Sequence, residues 1–212
     1  MTVAYVNRFQ AGETDSSSSL TVSTTTTTGT DCLVVFASHA STSNIDSSSC
    51  TFNGVSMTKL FAIDKPKNTG WMVGYYLLNP SIGTYDATIN WASSVSYRSI
   101  SVGLFSGVGR LSNASTQTIE DGTSVQLSLG TSTYAGIGVI GVSSYNTGVY
   151  TPSGWTLYAN PSPSYLTTRD FYKSTSASEV VAPTFTFSSD ESGALGGVIL
   201  YPNTSSGWAC LI

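Results

Sequence analysis

The sequence predicts an all-β chain folded as an antiparallel β-sandwich, and three observations support that prediction. Apolar and polar residues alternate with a period of two, in segments rich in Val, Ile, Thr, Tyr and Phe. Turn signals separate these segments at intervals of about eight to twelve residues, a spacing typical of sandwiches. Charged residues make up only 9% of the chain, against about 25% in an average domain, so there are too few Glu–Lys pairs to cover long solvated helices.

The first half contains seven predicted strand segments. The run CLVVFASH from Cys32 is almost continuously apolar, which predicts a strand buried on both faces. The threonine-rich segment from Ser19 is also interpreted as a strand, because Thr is β-branched and favours extended backbone. Asn53-Gly54 lies between extended arms and predicts a type I′ hairpin turn. The segments are Val3–Phe9, Ser19–Thr28, Cys32–His39, Cys50–Ala62, Trp71–Leu78, Tyr85–Trp91 and Arg98–Phe105.

The second half follows the same order with similar spacings. The segment TFTFSSDESGALGGVILYP, from Thr184, matches TINWASSVSYRSISVGLFSG, from Thr88, in pattern. Each has an alternating strand, a serine-rich turn and an apolar strand that contains glycine, which predicts two pseudo-repeated halves. The predicted strands are Ser124–Leu129, Thr133–Ser143, Gly154–Ala159, Thr168–Lys173, Thr184–Ser188 and Ala194–Tyr201.

The length of 212 residues suits one large domain or two small ones. The halves are predicted at roughly 1–107 and 122–202, with a C-terminal tail at 203–212. They could form two small sandwiches, or one sandwich in which each half supplies strands to both sheets. The segment between them is short and contains Leu111 and Ile119, unlike a flexible linker, which favours a single domain over 1–212.

Composition argues against several classes of partner. The net charge is -4 with 8 Lys+Arg, so the chain lacks the basic surface that a nucleic acid needs. No apolar run approaches the roughly 18 residues of a membrane span. The N-terminus, MTVAYVNRFQAGETD, has no basic region followed by an apolar one, which predicts synthesis in a cytoplasm without a signal peptide. Ser and Thr account for 66 of the 212 residues, so hydroxyls are expected to take the surface role of charged groups.

The cysteines indicate neither a cofactor nor a metal. Cys32, Cys50 and Cys210 are an odd number without metal-ligand spacing. A Cys32–Cys50 disulfide stays open as an alternative, although a reducing cytosol argues against it. Acidic pairs at Glu120-Asp121 and Asp190-Glu191 could supply oxygens to calcium at loop tips, but the turn interpretation is favoured.

Catalytic material is scarce, and we expect no enzyme activity. His39 is the only histidine and ends an apolar strand, where a structural imidazole is the favoured interpretation. The chain contains no GxSxG nucleophile elbow. Gly136–Gly141 matches GxGxxG, but it lies within a predicted strand with no helix following, so close packing explains these glycines better than a dinucleotide does.

Four aromatic residues are candidates for a contact surface. Tyr145, Tyr150, Trp155 and Tyr158 cluster in a stretch rich in Gly, Ser and Pro. Loop aromatics beside hydroxyls suit a carbohydrate or protein contact, so these four predict a ligand platform. The alternative is that they cap the open end of the sandwich.

Five segments together resemble a known family. In order they are DCLVVFASHA, CTFNGVSMTKL, WMVGYYLLNPSIGTYDATINW, SISVGLFSGV and FTFSSDESGALGGVILYP. They are similar to a jelly-roll-type β-sandwich domain found in phage virion proteins and in bacterial surface or secreted proteins. Its marks are an LLVV strand, a YNGVAMT hairpin, a YLLNPPTGTYTVTV pair, a SFSGV strand and a WAIAGVALKP strand. The resemblance spans nearly the whole chain and implies a jelly-roll-like fold.

The resemblance also implies a phage virion structural protein, with a capsid decoration or cement protein as the leading interpretation. Its partner would then be the major capsid protein or another virion protein, and general symmetry arguments favour a homo-oligomer, a trimer or a dimer. The N-terminal strand, with Val3, Tyr5 and Phe9, is the candidate docking element because an unpaired strand can add to a sheet edge. The alternative function is a carbohydrate- or host-receptor-binding module of a head fibre or tail, in which the four aromatics bind a glycan.

Overall fold

The computed structural model describes residues 2–40, 48–64, 71–145, 148–161 and 166–203, without the side chains at 71, 120, 121, 145 and 189–191. Within these ranges the regular structure is entirely β, so the predicted all-β class is confirmed. The strands are β1 Ala4–Glu13, β2 Ser17–Thr26, β3 Cys32–His39, β4 Ser49–Phe52, β5 Val55–Ser56, β6 Thr58–Ile63, β7 Trp71–Leu78, β8 Gly83–Val95, β9 Arg98–Ser106, β10 Val108–Leu111, β11 Ser115–Gln126, β12 Gly136–Tyr145, β13 Val149–Tyr150, β14 Thr156–Ala159, β15 Leu166–Thr175 and β16 Thr184–Pro202.

The strands form three antiparallel sheets. The central sheet has the order β1-β9-β3-β7-β6, and the front sheet has the order β2-β8-β4-β5. The back sheet has the order β10-β16-β12-β15-β14, and β11 and β13 also pair with β16. The predicted antiparallel sandwich is therefore confirmed in a layered form, while its jelly-roll character stays a prediction.

The central sheet is covered on both faces, because alternate side chains of its strands enter two different cores. On β3, Leu33, Val35 and Ala37 pack with the front sheet. The intervening Cys32, Val34 and Phe36 pack with the back sheet. All eight residues of β3 are buried, as its continuous apolar run predicted. A third core lies on the other face of the back sheet and includes Ile140, Phe171 and Phe185.

The first-half strands follow the sequence closely. β3 and β7 have the predicted bounds, and Asn53 and Gly54 have φ of 51° and 73°, as a type I′ turn requires. The second half differs more. The serine-rich segment predicted as a turn before Ala194 is instead part of one long strand, β16, because β11 pairs along it from Ser115↔Gly197 to Gln126↔Thr184.

Each sheet takes all its described strands from one half of the chain. The central and front sheets use β1–β9, and the back sheet uses β10–β16. The segment 108–121, which lies between the two predicted halves, forms β10 and part of β11, and both strands pair with β16. The halves are therefore not interleaved within sheets, but the core shared by the central and back sheets packs them face to face. The assignment of 1–212 to one domain stays a prediction.

Candidate functional site

The predicted aromatic platform is not assembled on the surface, and this corrects the sequence interpretation. Tyr150 is 58% exposed at the end of β13, but Trp155 and Tyr158 retain only 8% and 3% of their exposure. The side chain of Tyr145 lies outside the described residues. Only one of the four rings is thus shown at the surface, and two belong to the core.

Small residues on the facing strands explain why Trp155 and Tyr158 are inside. A Cβ added at Gly138 on β12 would lie 3.0 Å from the Trp155 ring, so the absence of a side chain there lets the indole pack. Gly103 on β9 leaves room for the Tyr158 ring in the same way. The centroid of that ring lies 6.3 Å from the centroid of the Phe105 ring. A turn-rich sequence around an aromatic residue therefore does not identify a surface ring in this chain.

The predicted docking strand, β1, lies at an edge of the central sheet. Among the described residues it pairs with β9 alone. The three residues named from the sequence are already engaged: Val3, just before β1, is 6% exposed, Tyr5 stacks on Tyr172 with centroids 4.6 Å apart, and Phe9 packs on the core shared with the front sheet. Val6, by contrast, is 41% exposed. The backbone edge and the Val6 side chain are thus the parts of β1 that remain available, and a bulge between Tyr5 and Asn7 interrupts the edge.

A buried polar cluster lies between the central and back sheets. The hydroxyls of Ser38, Ser99 and Thr168 form a triangle with O···O distances of 2.6, 2.8 and 2.9 Å. Each of these three residues is fully buried. The triangle joins β3 and β9 to β15 and satisfies the hydroxyls within the core, so it is a structural link between sheets.

Asp170 extends this cluster. The Ser101 hydroxyl donates a hydrogen bond to its Oδ2, whereas its Oδ1 and the Tyr158 hydroxyl have no hydrogen-bond partner among the described residues. Complete burial raises the pKa of Asp170 to about 8, and the Ser101 hydrogen bond and the Arg8 charge lower it only in part. A carboxyl group that holds its proton near neutral pH is chemically suited to proton transfer, but it needs a base and an accessible substrate.

His39 does not supply that base. It faces the front sheet, in T-shaped contact with Trp91 at 5.8 Å, on the opposite face of the central sheet from Ser101 and Asp170. Burial lowers the pKa of His39 to about 4. The single histidine and the buried Ser–Asp pair are thus separated by a sheet, and these residues do not form a Ser–His–Asp triad.

The two described cysteines are free and lie in different cores. Cys32 faces the back sheet and Cys50 lies between the front and central sheets. This geometry removes the Cys32–Cys50 disulfide that the sequence left open. Burial raises the pKa of the Cys50 thiol to about 12 and that of Cys32 further still. Cys210 lies outside the described residues.

The described part of the chain holds no cluster typical of a metal site. No group of three or more His, Cys, Asp or Glu side chains comes together there. The acidic pairs Glu120-Asp121 and Asp190-Glu191 lie within β11 and β16, so their predicted placement in turns or loop tips is wrong. Their side chains lie outside the described part of the chain. Among the described residues, no helix has the length and apolar character needed to cross a membrane.

The outer face of the front sheet is a hydroxyl-rich surface, which we call the hydroxyl face. Its threonines pair across strands, with Thr21 to Thr88 at 2.9 Å and Thr25 to Thr84 at 2.8 Å between hydroxyl oxygens. Asp86 is its only charged residue. The face consists of Ser19, Thr21, Ser23 and Thr25 on β2, Thr84, Asp86, Thr88 and Asn90 on β8, and Ser49 and Thr51 on β4.

Two open grooves have polar linings. The first, of about 380 Å³, lies on the hydroxyl face beside the Asn53-Gly54 turn. The second, of about 510 Å³, runs beside β10 and contains Arg110 and Tyr201. No sequence motif marks either groove. The scarcity of Lys and Arg, 8 in the whole chain, is the signal in the sequence that points to Arg110 in the second.

No family model, curated protein or solved structure matches this chain. The geometry of the chain itself is therefore the basis on which a function can be proposed.

Proposed function

We propose that the chain is a phage virion structural protein, a capsid decoration or cement protein that binds the outer shell and stabilises it. The hydroxyl face is the observation that carries the proposal. It presents serine and threonine side chains on three neighbouring strands and a single carboxylate, Asp86, with no Lys or Arg among the residues that define it.

Such a face is physically suited to lasting contact with another protein. Moving a charged group out of water is costly, whereas a hydroxyl can exchange its water for either a donor or an acceptor on the partner. The cross-strand pairs Thr21–Thr88 and Thr25–Thr84 hold the array in place before contact. Attachment through this face would depend little on ionic strength.

Decoration would work by repetition. Many copies on a fixed lattice, each with a modest contact, bridge neighbouring shell subunits and raise the barrier to their separation. The major capsid protein or another virion protein is the proposed partner, and the proposed location is the virion. Assembly as a homo-oligomer, a trimer or a dimer, belongs to the same proposal, and the backbone edge of β1 is its secondary contact element.

The abundance of the chain in purified particles tests the proposal directly. Quantitative mass spectrometry is expected to find it at tens to hundreds of copies per particle, retained after a wash in about 1 M salt. Its absence from particles, or release by moderate salt, would contradict attachment by an uncharged face.

A pair of lysine substitutions tests the face itself. Thr21→Lys places a charge on the hydroxyl face, and Thr156→Lys makes the same change at an exposed strand position of the back sheet. We expect Thr21→Lys to reduce rebinding to stripped particles by at least about tenfold, because an unpaired buried charge costs more than about 1.4 kcal/mol. Thr156→Lys is expected to bind as the wild type does. Equal binding of both variants would remove the hydroxyl face from the proposal.

The alternative, a glycan- or receptor-binding module, no longer rests on the four aromatics, since Trp155 and Tyr158 are buried. The groove beside β10, which contains Arg110 and Tyr201, supports this alternative better than the aromatics do.

A further inference from the structure

We propose that the groove beside β10 binds a carboxylated saccharide, a sugar ring that carries an acid group. The groove has a volume of about 510 Å³, within the range of about 300–1,000 Å³ of small-ligand sites. Among the described residues that line it, Arg110 alone is charged. The polar groups of its lining that the ligand would meet belong to Asn113, Ser128, Thr131 and Thr133, and Tyr201 adds an aromatic ring.

Two tyrosines hold the Arg110 guanidinium in place. It lies 4.9 Å from the ring centroid of Tyr134 and 5.0 Å from that of Tyr201, and the two rings are 6.1 Å apart in a T-shaped arrangement. Contacts of this kind orient the guanidinium without using its N–H groups. Among the described residues no carboxylate pairs with Arg110, which is exposed, so its donors remain available to an anion.

Both walls of the groove are fixed by backbone hydrogen bonds. On one side, Leu129 N donates to Val181 O at 2.8 Å and Val181 N donates to Gly130 O at 2.9 Å. On the other, Ser112 N donates to Ile199 O at 2.8 Å, and Ile199 N donates to the Ser112 hydroxyl at 2.9 Å. The groove is thus formed before any ligand arrives, which reduces the entropy lost on binding.

The lining chemistry selects the ligand class. An arginine presents a planar fork that matches a carboxylate with two parallel hydrogen bonds. The hydroxyls of Ser128, Thr131 and Thr133 and the amide of Asn113 surround it with groups that both donate and accept. A lone carboxylate such as acetate would use the arginine alone, and a peptide offers fewer groups that both donate and accept than a sugar ring does. A sugar acid would use the arginine and the hydroxyls together, and it is therefore the better fit.

Binding of methyl β-D-glucuronide and of its neutral analogue, methyl β-D-glucoside, tests the proposal by calorimetry or by NMR titration of the full chain. We expect the glucuronide to bind at least about tenfold more tightly, because its carboxylate adds charge-assisted hydrogen bonds to Arg110. Arg110→Gln is expected to abolish that preference. Lys59→Gln, which removes one positive charge from an exposed position on β6, is the matched control and is expected to retain it.

Three results with the two sugars would overturn the proposal. They are binding of neither sugar at millimolar concentration, equal binding of both, and an unchanged preference in Arg110→Gln. Acetate and a short peptide with a free C-terminal carboxylate distinguish the source of the acid. If either binds as tightly as the glucuronide, the groove binds a carboxylate alone and the saccharide assignment is wrong. Arg110→Lys, which keeps the charge but loses the planar fork, is expected to retain part of the preference.

Discussion

Replacing Asp170 with asparagine is expected to change how stability depends on pH. The carboxyl lies fully buried between the central and back sheets, and burial raises its pKa to about 8 from the usual 3.8. The folded protein therefore holds this proton up to about pH 8, whereas the unfolded chain releases it near pH 3.8. Because the folded state binds more protons in that interval, the contribution of Asp170 to stability is greatest below pH 3.8 and falls as pH rises towards 8.

The size of the effect follows from the pKa difference. Each pH unit within the interval corresponds to about 1.4 kcal/mol, so the loss between pH 5 and pH 8 is at most about 4 kcal/mol. The asparagine side chain of the Asp170→Asn variant cannot ionise, and it keeps an oxygen that can accept from Ser101. We therefore expect Asp170→Asn to be more stable than the wild type at pH 8, by an amount that exceeds its advantage at pH 5 by up to about 4 kcal/mol.

Urea unfolding of the variant and the wild type at pH 5 and pH 8 measures the difference. In thermal unfolding, the Tm advantage of Asp170→Asn over the wild type should be larger at pH 8 than at pH 5 by up to roughly 8–16 °C. Asp86→Asn, at an exposed position on the front sheet, is the control for loss of a negative charge. The comparison of variant with wild type isolates Asp170 from other titrating groups. An Asp170→Asn effect that is the same at both pH values would refute the reasoning.

Two further predictions concern the cores. Gly196→Ala should lower the free energy of unfolding by about 1–3 kcal/mol in urea, because a Cβ at this position would clash with the Phe61 ring. The ring has no room to move away, since it also lies 2.6 Å from the position that a Cβ would take at Gly74. Gly148→Ala, whose Cβ would lie 3.7 Å from its nearest neighbour, should be close to neutral, and equal losses would count against this packing argument. In a Cys210→Ser background, Cys32 and Cys50 should resist a thiol reagent at pH 8 until the protein unfolds, since both are buried with raised pKa values. Labelling of either thiol in the native protein, measured by mass spectrometry, would contradict their placement.

Local patterns predicted the strands of the first half well. The sequence predicted β3 correctly because a continuous apolar run requires burial on both faces. It predicted the Asn53-Gly54 turn correctly because a type I′ turn needs two residues that accept positive φ. The stacking of the three sheets could not be predicted in the same way. Alternation places side chains on two faces, but it does not say which sheet each face meets.

Long-range pairing produces the features that local sequence patterns do not predict. The serine-rich part of β16 continues as a strand because β11 supplies hydrogen-bond partners, a contact that composition does not encode. Trp155 is buried because Gly138, on another strand, leaves room for it. Arg110, Tyr134 and Tyr201 meet from three separate segments, so their cluster becomes visible only after folding.

The position of β1 has a consequence for the order of folding. β1 pairs with β9 from Ala4↔Ser106 to Glu13↔Arg98, so the beginning of the first half is hydrogen-bonded to its end. During synthesis, the central sheet cannot acquire this edge strand until Ser106 has left the ribosome, and a non-local pairing of this kind forms slowly. Until then β9 is absent, and β3 lacks one of the two neighbours that pair with all eight of its residues. We therefore expect nascent chains that end before β9 to expose the apolar β3 and to require chaperone protection.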